Sequence, residues 1–336
     1  MSQMNRRVCL AARPSGLPKP SDWDFVEEPV PTPRDGEFVV EISHVSLDPA
    51  MRGWMNAGAS YIEPVEIGDT MRAGAVGRVS ASKHSGFDVD DHVYGVFGVQ
   101  QHALSDGKGV SKIDLSLAPA PTYLGTLGAT GLTAYFGLLD VAKVNEGETV
   151  VVSGAAGAVG SVAGQIAKLK GARAVGIAGG EQKCRWLVEE LGFDAAIDYK
   201  SEDVRRALRE QAPSGIDVYF DNVGGEILDA ALTRLARHAR IVICGAVSQY
   251  NATEAVRGPS NYLALLVSRA TMTGMVVFDY AARYGEAMGE LAQWLSEGKI
   301  VSREHIVEGG VDAFPDSLLK LFAGENIGKL VLRVGD

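Results

Sequence analysis

The sequence predicts an α/β protein: a doubly wound parallel-sheet domain, with a β-rich domain built from both ends of the chain. Three observations predict it. Short, often alternating segments bounded by Pro, Gly and Asp fill the region before about residue 128. Beyond it, strand and helix patterns alternate, and the strands are apolar throughout, as in a parallel sheet covered on both faces. The final stretch returns to mixed strand and helix character.

In order, RRVCLAARP, GEFVVEISHVSLDP, AGAVGRVSAS and DDHVYGVFGVQQHAL read as strands of a compact β-rich domain. GATGLTAYFGLLDVAKV reads as a helix. TVVVS, ARAVGIA, DAAIDY and IDVYFDNVGG are strands. Each is followed by a helical pattern: AVGSVAGQIAKLKG, EQKCRWLVEELG, SEDVRRALREQAP and EILDAALTRLAR. ARIVICG and ATMTGMVVF supply two more strands, and six strands in this order match a doubly wound, Rossmann-type sheet. A long helix, YAARYGEAMGELAQWLSEGKI, leads the chain back. A short helix around Ala313 to Phe322 and a last strand, KLVLRV, complete the first domain. The expected division is 1–127 with 303–336 for the β-rich substrate domain, and 128–302 for the Rossmann domain.

The 336 residues suit two domains. With 46% hydrophobic and 22% charged residues, the composition is that of an ordinary globular protein. A net charge of −10 argues against a broad nucleic-acid surface. Cys9, Cys184 and Cys244 are too few and too scattered for a disulfide framework or a four-cysteine zinc lobe, so a cytoplasmic setting is expected. The opening MSQMNRRVCLAARPSG has no apolar stretch of useful length, and no run approaches a membrane span. Neither a signal peptide nor a membrane association is expected.

The stretch SGAAGAVG carries Ala155, Gly157 and Gly160 at the three fingerprint positions of a dinucleotide-binding turn, between a strand and a helix. Ala156, Gly157, Ala158, Val159 and Gly160 would lie along the pyrophosphate, on the free N–H groups of the helix start. The next strand, ARAVGIA, runs into Gly179 and Gly180 with no carboxylate at its tip, where an NAD site would need one for the ribose 2′-hydroxyl. Glu181 follows. Lys183 is the best candidate for a 2′-phosphate, with Tyr199 and Arg185 nearby, which favours NADPH/NADP.

Beyond these features the chain resembles the zinc-independent medium-chain dehydrogenase/reductases. It is most similar to leukotriene/prostaglandin reductases, plant 2-alkenal double-bond reductases and bacterial curcumin reductases. The resemblance rests on SLDPAMRGWM, GATGLTAYFGLLD, GAAGAVGSVAGQIAKLKG, DVYFDNVGGEILDAAL, ICGAVSQYNAT and GENIGKLVLRV, and runs nearly end to end. It implies a GroES-like fold for the β-rich domain and NADPH-dependent reduction of a conjugated carbonyl compound. It also implies that Asn222, the segment Cys244, Gly245, Ala246, Val247 and Ser248, the segment Met275, Val276 and Val277, and Asn326 meet the cofactor. Met275 to Tyr280 is read as an edge strand as well. Where zinc alcohol dehydrogenases of this fold carry a Cys and a Gly-His-Glu motif, this chain has Ser46 and Gly68-Asp69-Thr70, so no metal is expected. DDHVYG has Asp90 where the family usually has Gly.

The implied chemistry is hydride transfer to the β-carbon of an enone, with negative charge building on the carbonyl oxygen. Tyr250, Tyr61 and Tyr262 are the candidate hydrogen-bond and proton donors, and Met51, Arg52 and Trp54 the candidate substrate slot. Quinone reduction on the same fold is the rival reading; an NADPH-binding protein without turnover is another. The apolar last strand of the sheet, ATMTGMVVF, with the family resemblance, leads us to expect a homodimer.

Overall fold

The computed structural model describes residues 3–58 and 60–335. The chain forms two compact units, one of residues up to Leu124 together with those from Glu304 onward, the other Gly125–Arg303.

The first unit contains β1 (Met4–Leu10), β2 (Trp23–Pro29), β3 (Phe38–Ser46), the short helix α1 (Ala50–Trp54), β4 (Ala75–Ser82), β5 (His92–Gly95), β6 (His102–Ser105) and the two-residue β7 (Ser111–Lys112). The second contains α2 (Ala129–Phe136), β8 (Thr149–Ser153), α3 (Ala158–Leu169), β9 (Arg173–Ala178), α4 (Glu181–Glu189), β10 (Ala195–Asp198), α5 (Val204–Gln211), β11 (Ile216–Asp221), α6 (Gly225–Leu232), β12 (Leu235–Ile243), α7 (Leu263–Ser268), β13 (Thr271–Gly274) and α8 (Tyr284–Ser296). The chain then re-enters the first unit with β14 (Glu304–Val307), α9 (Phe314–Ala323) and β15 (Lys329–Arg333).

In the first unit the main sheet runs β14-β15-β3-β4-β5-β7, with β6 also on β3 and β1-β2 as a separate ribbon. β15 pairs antiparallel with β3, so the β-rich unit is discontinuous in sequence. Val8, Leu10, Phe38, Val40, Ile42 and Leu332 share one core with Phe314 and Leu318 of α9. The ring of Trp23 meets that of Phe314 edge-on at 5.1 Å, which pins the C-terminal helix to the N-terminal ribbon.

The second unit holds a six-stranded sheet in the order β10-β9-β8-β11-β12-β13, every pairing parallel. The order reverses between β8 and β11, and ligands of such sheets bind in the crevice at that point, beyond the carboxyl ends of the strands. Val150, Val151, Val152, Val175, Ile177, Tyr219 and Phe220 are fully buried, as strands covered on both faces require.

Two elements differ from the sequence reading. EILDAALTRLAR reads as one helix, yet α6 stops at Leu232 and Leu235 already pairs with Ile216. His238, at φ +65°, sits within β12, and the ladder to β11 shifts register between Ile216 and Val218. An irregular strand replaces the last helical turn. The predicted edge strand through Tyr280 ends at Gly274; Val277–Arg283 coils into 3₁₀ turns. There Tyr280 stacks on Phe136 with ring centroids 4.4 Å apart, and this packing takes the place of strand pairing. Among the described residues no helix is long and apolar enough to cross a membrane.

Candidate functional site

The glycine turn sits between β8 and α3. Gly154 takes φ +58°, so the left-handed position precedes the alanine and Ala155 needs no special conformation. The Ala155 N–H donates to Ile177 O at 3.0 Å, seating the turn on β9. A Cβ on Gly160 would fall 2.4 Å from Gly154 O and 2.7 Å from Ala155 Cα, so only glycine lets the helix come this close. A Cβ on Gly157 would meet Gly154 O alone, at 3.2 Å. Gly157 is the N-cap of α3, and no side chain caps the helix there. Ala158 and Val159 form its first turn, with N–H groups that need acceptors. Ala156 is buried beside them.

Next to this turn, the ends of β8, β11 and β12 are joined by one buried residue, Asp221, that sequence reasoning missed. Asp221 Oδ1 accepts from Ser153 Oγ (2.7 Å), from the Val223 N–H (3.1 Å) and from the Gly224 N–H (3.0 Å). Its backbone carbonyl accepts from the N–H groups of Cys244 and Gly245. Asn222 donates from Nδ2 to Ser153 O at 2.7 Å, and its carbonyl accepts from the Val247 N–H. Ser248 closes the loop with an Oγ bond to Val223 O. The Ala246 N–H donates to the Tyr250 hydroxyl at 3.2 Å. Cys244 is no nucleophile: burial, then the Asp221 charge, pushes its thiol up to about 12. Met275 is buried and its N–H donates to Ile243 O; Val276 follows, and Val277 O accepts from the Tyr284 hydroxyl. Tyr262 stands apart from this loop at the start of α7, 60% exposed.

At the tips of β9 and β10, Gly179 leaves the space that Tyr199 uses. A Cβ on Gly179 would lie 2.8–2.9 Å from the Tyr199 ring and hydroxyl. Lys183 is partly buried, and burial, then the Lys200 charge, lowers its pKa. Arg185 is turned away from this corner and pairs with Glu181 at 2.6 Å one helical turn back. That pair also neutralises the acidic residue at the start of α4.

The first unit carries the remaining candidates. Met51 is wholly buried within the β-domain core. Arg52 is 3% exposed and donates to Gly16 O, Pro14 O and Asn56 Oδ1. Both are held inside the β-rich unit. Trp54 remains: its indole Nε1 donates to the Tyr61 hydroxyl at 3.4 Å, and the Arg72 guanidinium lies 5.8 Å from its ring. Asn326 is buried, with Nδ2 on Gly328 O.

The chain matches the family described as the N-terminal domain of oxidoreductase over residues 6–113, and that described as zinc-binding dehydrogenase over residues 158–295. An NADPH-dependent curcumin reductase of Escherichia coli is 43% identical over 99% of this chain and 97% of its own. A prostaglandin reductase of Bos taurus is 40% identical over 95% of each. The chain is a medium-chain dehydrogenase/reductase of this group. The crystal structure of CurA from Vibrio vulnificus in complex with NADPH superposes with a TM-score of 0.93, at 43% identity, covering 98% of this chain and 99% of that one.

Zinc, named in the second family description, does not fit the residues present. Ser46 is hydrogen bonded to Asp48. Asp48 in turn pairs with the buried Lys329 ammonium at 2.9 Å, and the Thr70 hydroxyl accepts from Arg7. With serine and aspartate where the cysteine and histidine ligands would stand, and with Ser46 already engaged by Asp48, the donor set is a poor one for Zn²⁺. Among the described residues no group of three or more His, Cys, Asp or Glu is placed to hold a metal.

Proposed function

We propose that this reductase saturates the carbon–carbon double bond of α,β-unsaturated ketones and aldehydes with NADPH, without a metal. The observation that carries the reading is end-to-end kinship with a protein named for NADPH-dependent curcumin reduction. The residues support it. Gly157, Gly160 and the uncapped start of α3 fit a pyrophosphate. β9 itself runs into Gly179 and Gly180 without a carboxylate of its own, while Lys183, Tyr199 and Lys200 stand beside its tip.

Bound NADPH would supply a hydride to the substrate β-carbon. Charge then collects on the carbonyl oxygen, and the chain's task is to meet it with O–H donors. Tyr250 is the first candidate, its hydroxyl oriented by the Ala246 N–H. Tyr61 follows, with Trp54 as a flat apolar neighbour, and then Tyr262. Asn222, Val247, Ser248, Met275, Val276, Val277 and Asn326 are assigned to the cofactor. The purified protein should oxidise NADPH with an enone such as 3-nonen-2-one, yield the saturated ketone, and keep its rate after EDTA. An allylic alcohol as product, or turnover lost to chelation, sinks the reading.

We also infer a homodimer in the cytoplasm. β13 is paired only with β12 among the described strands, and Leu266 and Val267 of the adjoining α7 are 75% and 70% exposed. Cys9, Cys184 and Cys244 are all free thiols. Sedimentation should give a dimer that Leu266→Lys converts to monomer; a wild-type monomer refutes the assembly.

A further inference from the structure

The turn that follows β9 and the turn that follows β10 are held together by one side chain. Asp198 is the last residue of β10 and pairs with Ala178, the last of β9. Its Oδ1 accepts from the Gly180 N–H at 2.7 Å and from the Lys200 N–H at 3.0 Å. Its Oδ2 accepts from the Ser201 hydroxyl at 2.9 Å. A single oxygen thus joins two turns that are separate in sequence.

Both turns carry the groups assigned above to the 2′-phosphate. Gly180, at φ +99°, is the N-cap of α4, and its carbonyl accepts from the Lys183 N–H at 3.1 Å. The position of Gly180 therefore sets where Lys183 leaves the helix. On the other side, Tyr199 donates its N–H to Ala178 O at 3.1 Å and lays its ring across the space that Gly179 leaves open. Lys200 hangs from the same Asp198 oxygen as Gly180.

We propose that Asp198 is a positioning residue for the choice of NADPH over NADH: by holding Gly180 and Lys200 on one oxygen, it fixes Lys183, Tyr199 and Lys200 around the adenosine 2′-phosphate. This rests on the NADPH reading given above. A carboxylate next to a phosphate subsite would ordinarily weaken binding. Here the oxygens are already engaged by two N–H groups and a hydroxyl. Burial opposes the charge, but these bonds and the Lys200 charge outweigh it and keep the carboxyl below its ordinary range. What the site uses is the acceptor, and the charge is incidental.

That distinction sets the test. Asp198→Asn keeps an oxygen for the Gly180 and Lys200 N–H groups and removes the charge; Asp198→Ala removes both. Steady-state kinetics with NADPH and with NADH, using one enone, should show Asp198→Ala raising the KM for NADPH about tenfold, the scale of one or two lost hydrogen bonds. Its kcat at saturating NADPH and its KM for NADH should stay within about twofold, well inside the shift expected for one lost bond. Asp198→Asn should lie close to wild type. Calorimetry should show the same split between 2′,5′-ADP, which weakens, and 5′-AMP, which does not. If both variants bind NADPH more tightly, Asp198 acts by repulsion and the proposal is overturned. It is equally overturned if Asp198→Ala weakens both cofactors alike or leaves the preference intact. A wild-type enzyme indifferent between NADPH and NADH overturns the cofactor reading itself, and this inference with it.

Discussion

The methyl group of Ala155 lies against Gly176 of the neighbouring strand: a Cβ built on Gly176 would come within 2.9 Å of it. The alanine at the first fingerprint position is therefore part of a matched pair. The left-handed backbone has moved to Gly154, and the missing glycine of the fingerprint is answered by a glycine across the sheet.

Replacing Gly176 by alanine should destabilise the fold. The added methyl would meet the Ala155 methyl, and also Leu187 Cδ1 at 2.7 Å and Phe193 Cδ1 at 3.1 Å. Overpacking of this kind costs about 1–3 kcal/mol. Urea unfolding should show that loss, and Ala155→Gly in the same chain should recover part of it, since the two residues touch. A Gly176→Ala protein as stable as wild type would mean that the strands separate without cost.

Asp90 holds φ +74°, at the place where the family usually has glycine, and its carboxylate pairs with Arg78. Asp90→Ala keeps the strained backbone and loses the pair, so it should be the least stable of the series. Asp90→Gly loses the same pair but relieves the backbone, and should exceed the alanine variant by about 1 kcal/mol. Thermal unfolding of the three proteins in low and high salt checks both parts. Salt should narrow the gap between wild type and alanine and leave the gap between alanine and glycine unchanged.

The architecture was legible because its signals are local. Val150–Val152 and Val175–Ile177 are apolar runs that only a doubly covered strand explains, and the glycine turn lies between its strand and helix as the fingerprint requires. Asp90 stood out because one residue type was out of place. The misses share a different cause. Asp198 and Gly180 are distant in sequence and meet only because β9 and β10 are parallel neighbours with aligned tips. Asp221 lay unremarked inside the strand reading IDVYFDNVGG; its role as a shared acceptor depends on three strand ends coming together. The burial of Met51 was not legible either, because an apolar residue on a one-turn helix gives no clue to which side it faces. For Arg52 the decisive partners are the carbonyls of Pro14 and Gly16, which no spacing in the sequence foretells.

Acid should weaken the β-rich unit through two histidines. His44 and His102 are 8% and 5% exposed. Burial lowers the pKa of each; the Arg333 charge adds to the effect at His44, against an opposing contribution from Glu308, and Glu41 opposes it at His102. His102 Nε2 faces the Gln3 amide nitrogen at 3.2 Å, a donor that suits the neutral ring. With the folded pKa below the unfolded value of about 6.5, the unfolded chain binds more protons in the window beneath 6.5. Stability from these groups is thus complete above that pH and falls as pH drops, by up to about 1.4 kcal/mol per pH unit for each proton. Urea midpoints between pH 7.5 and 5 should show the fall, and His44→Gln and His102→Gln should each flatten it. An unchanged slope in both variants removes the histidines from the account.

The three tyrosines should separate by the kinetic constant each one moves. Tyr250 is tied to the Gly245–Ala246 backbone by the Ala246 N–H and lies on the loop assigned to the cofactor. If its hydroxyl meets the charge on the substrate oxygen, Tyr250→Phe removes an interaction made chiefly in the transition state. Losing such a donor costs about 10²–10³ in kcat, and KM for the enone should change little. Tyr61 is 56% exposed and pairs with Trp54. Tyr61→Phe leaves the ring and removes the hydroxyl, so a binding role appears as a higher enone KM with kcat kept within a few fold. Tyr262, at the start of α7 among the exposed Leu263 and Leu266, belongs by position to the proposed dimer surface. Tyr262→Phe should then leave both constants near wild type. Steady-state rates at saturating NADPH decide among them. A large kcat loss confined to Tyr262→Phe would reverse the order and place the proton donor on α7 instead of the Cys244–Tyr250 loop.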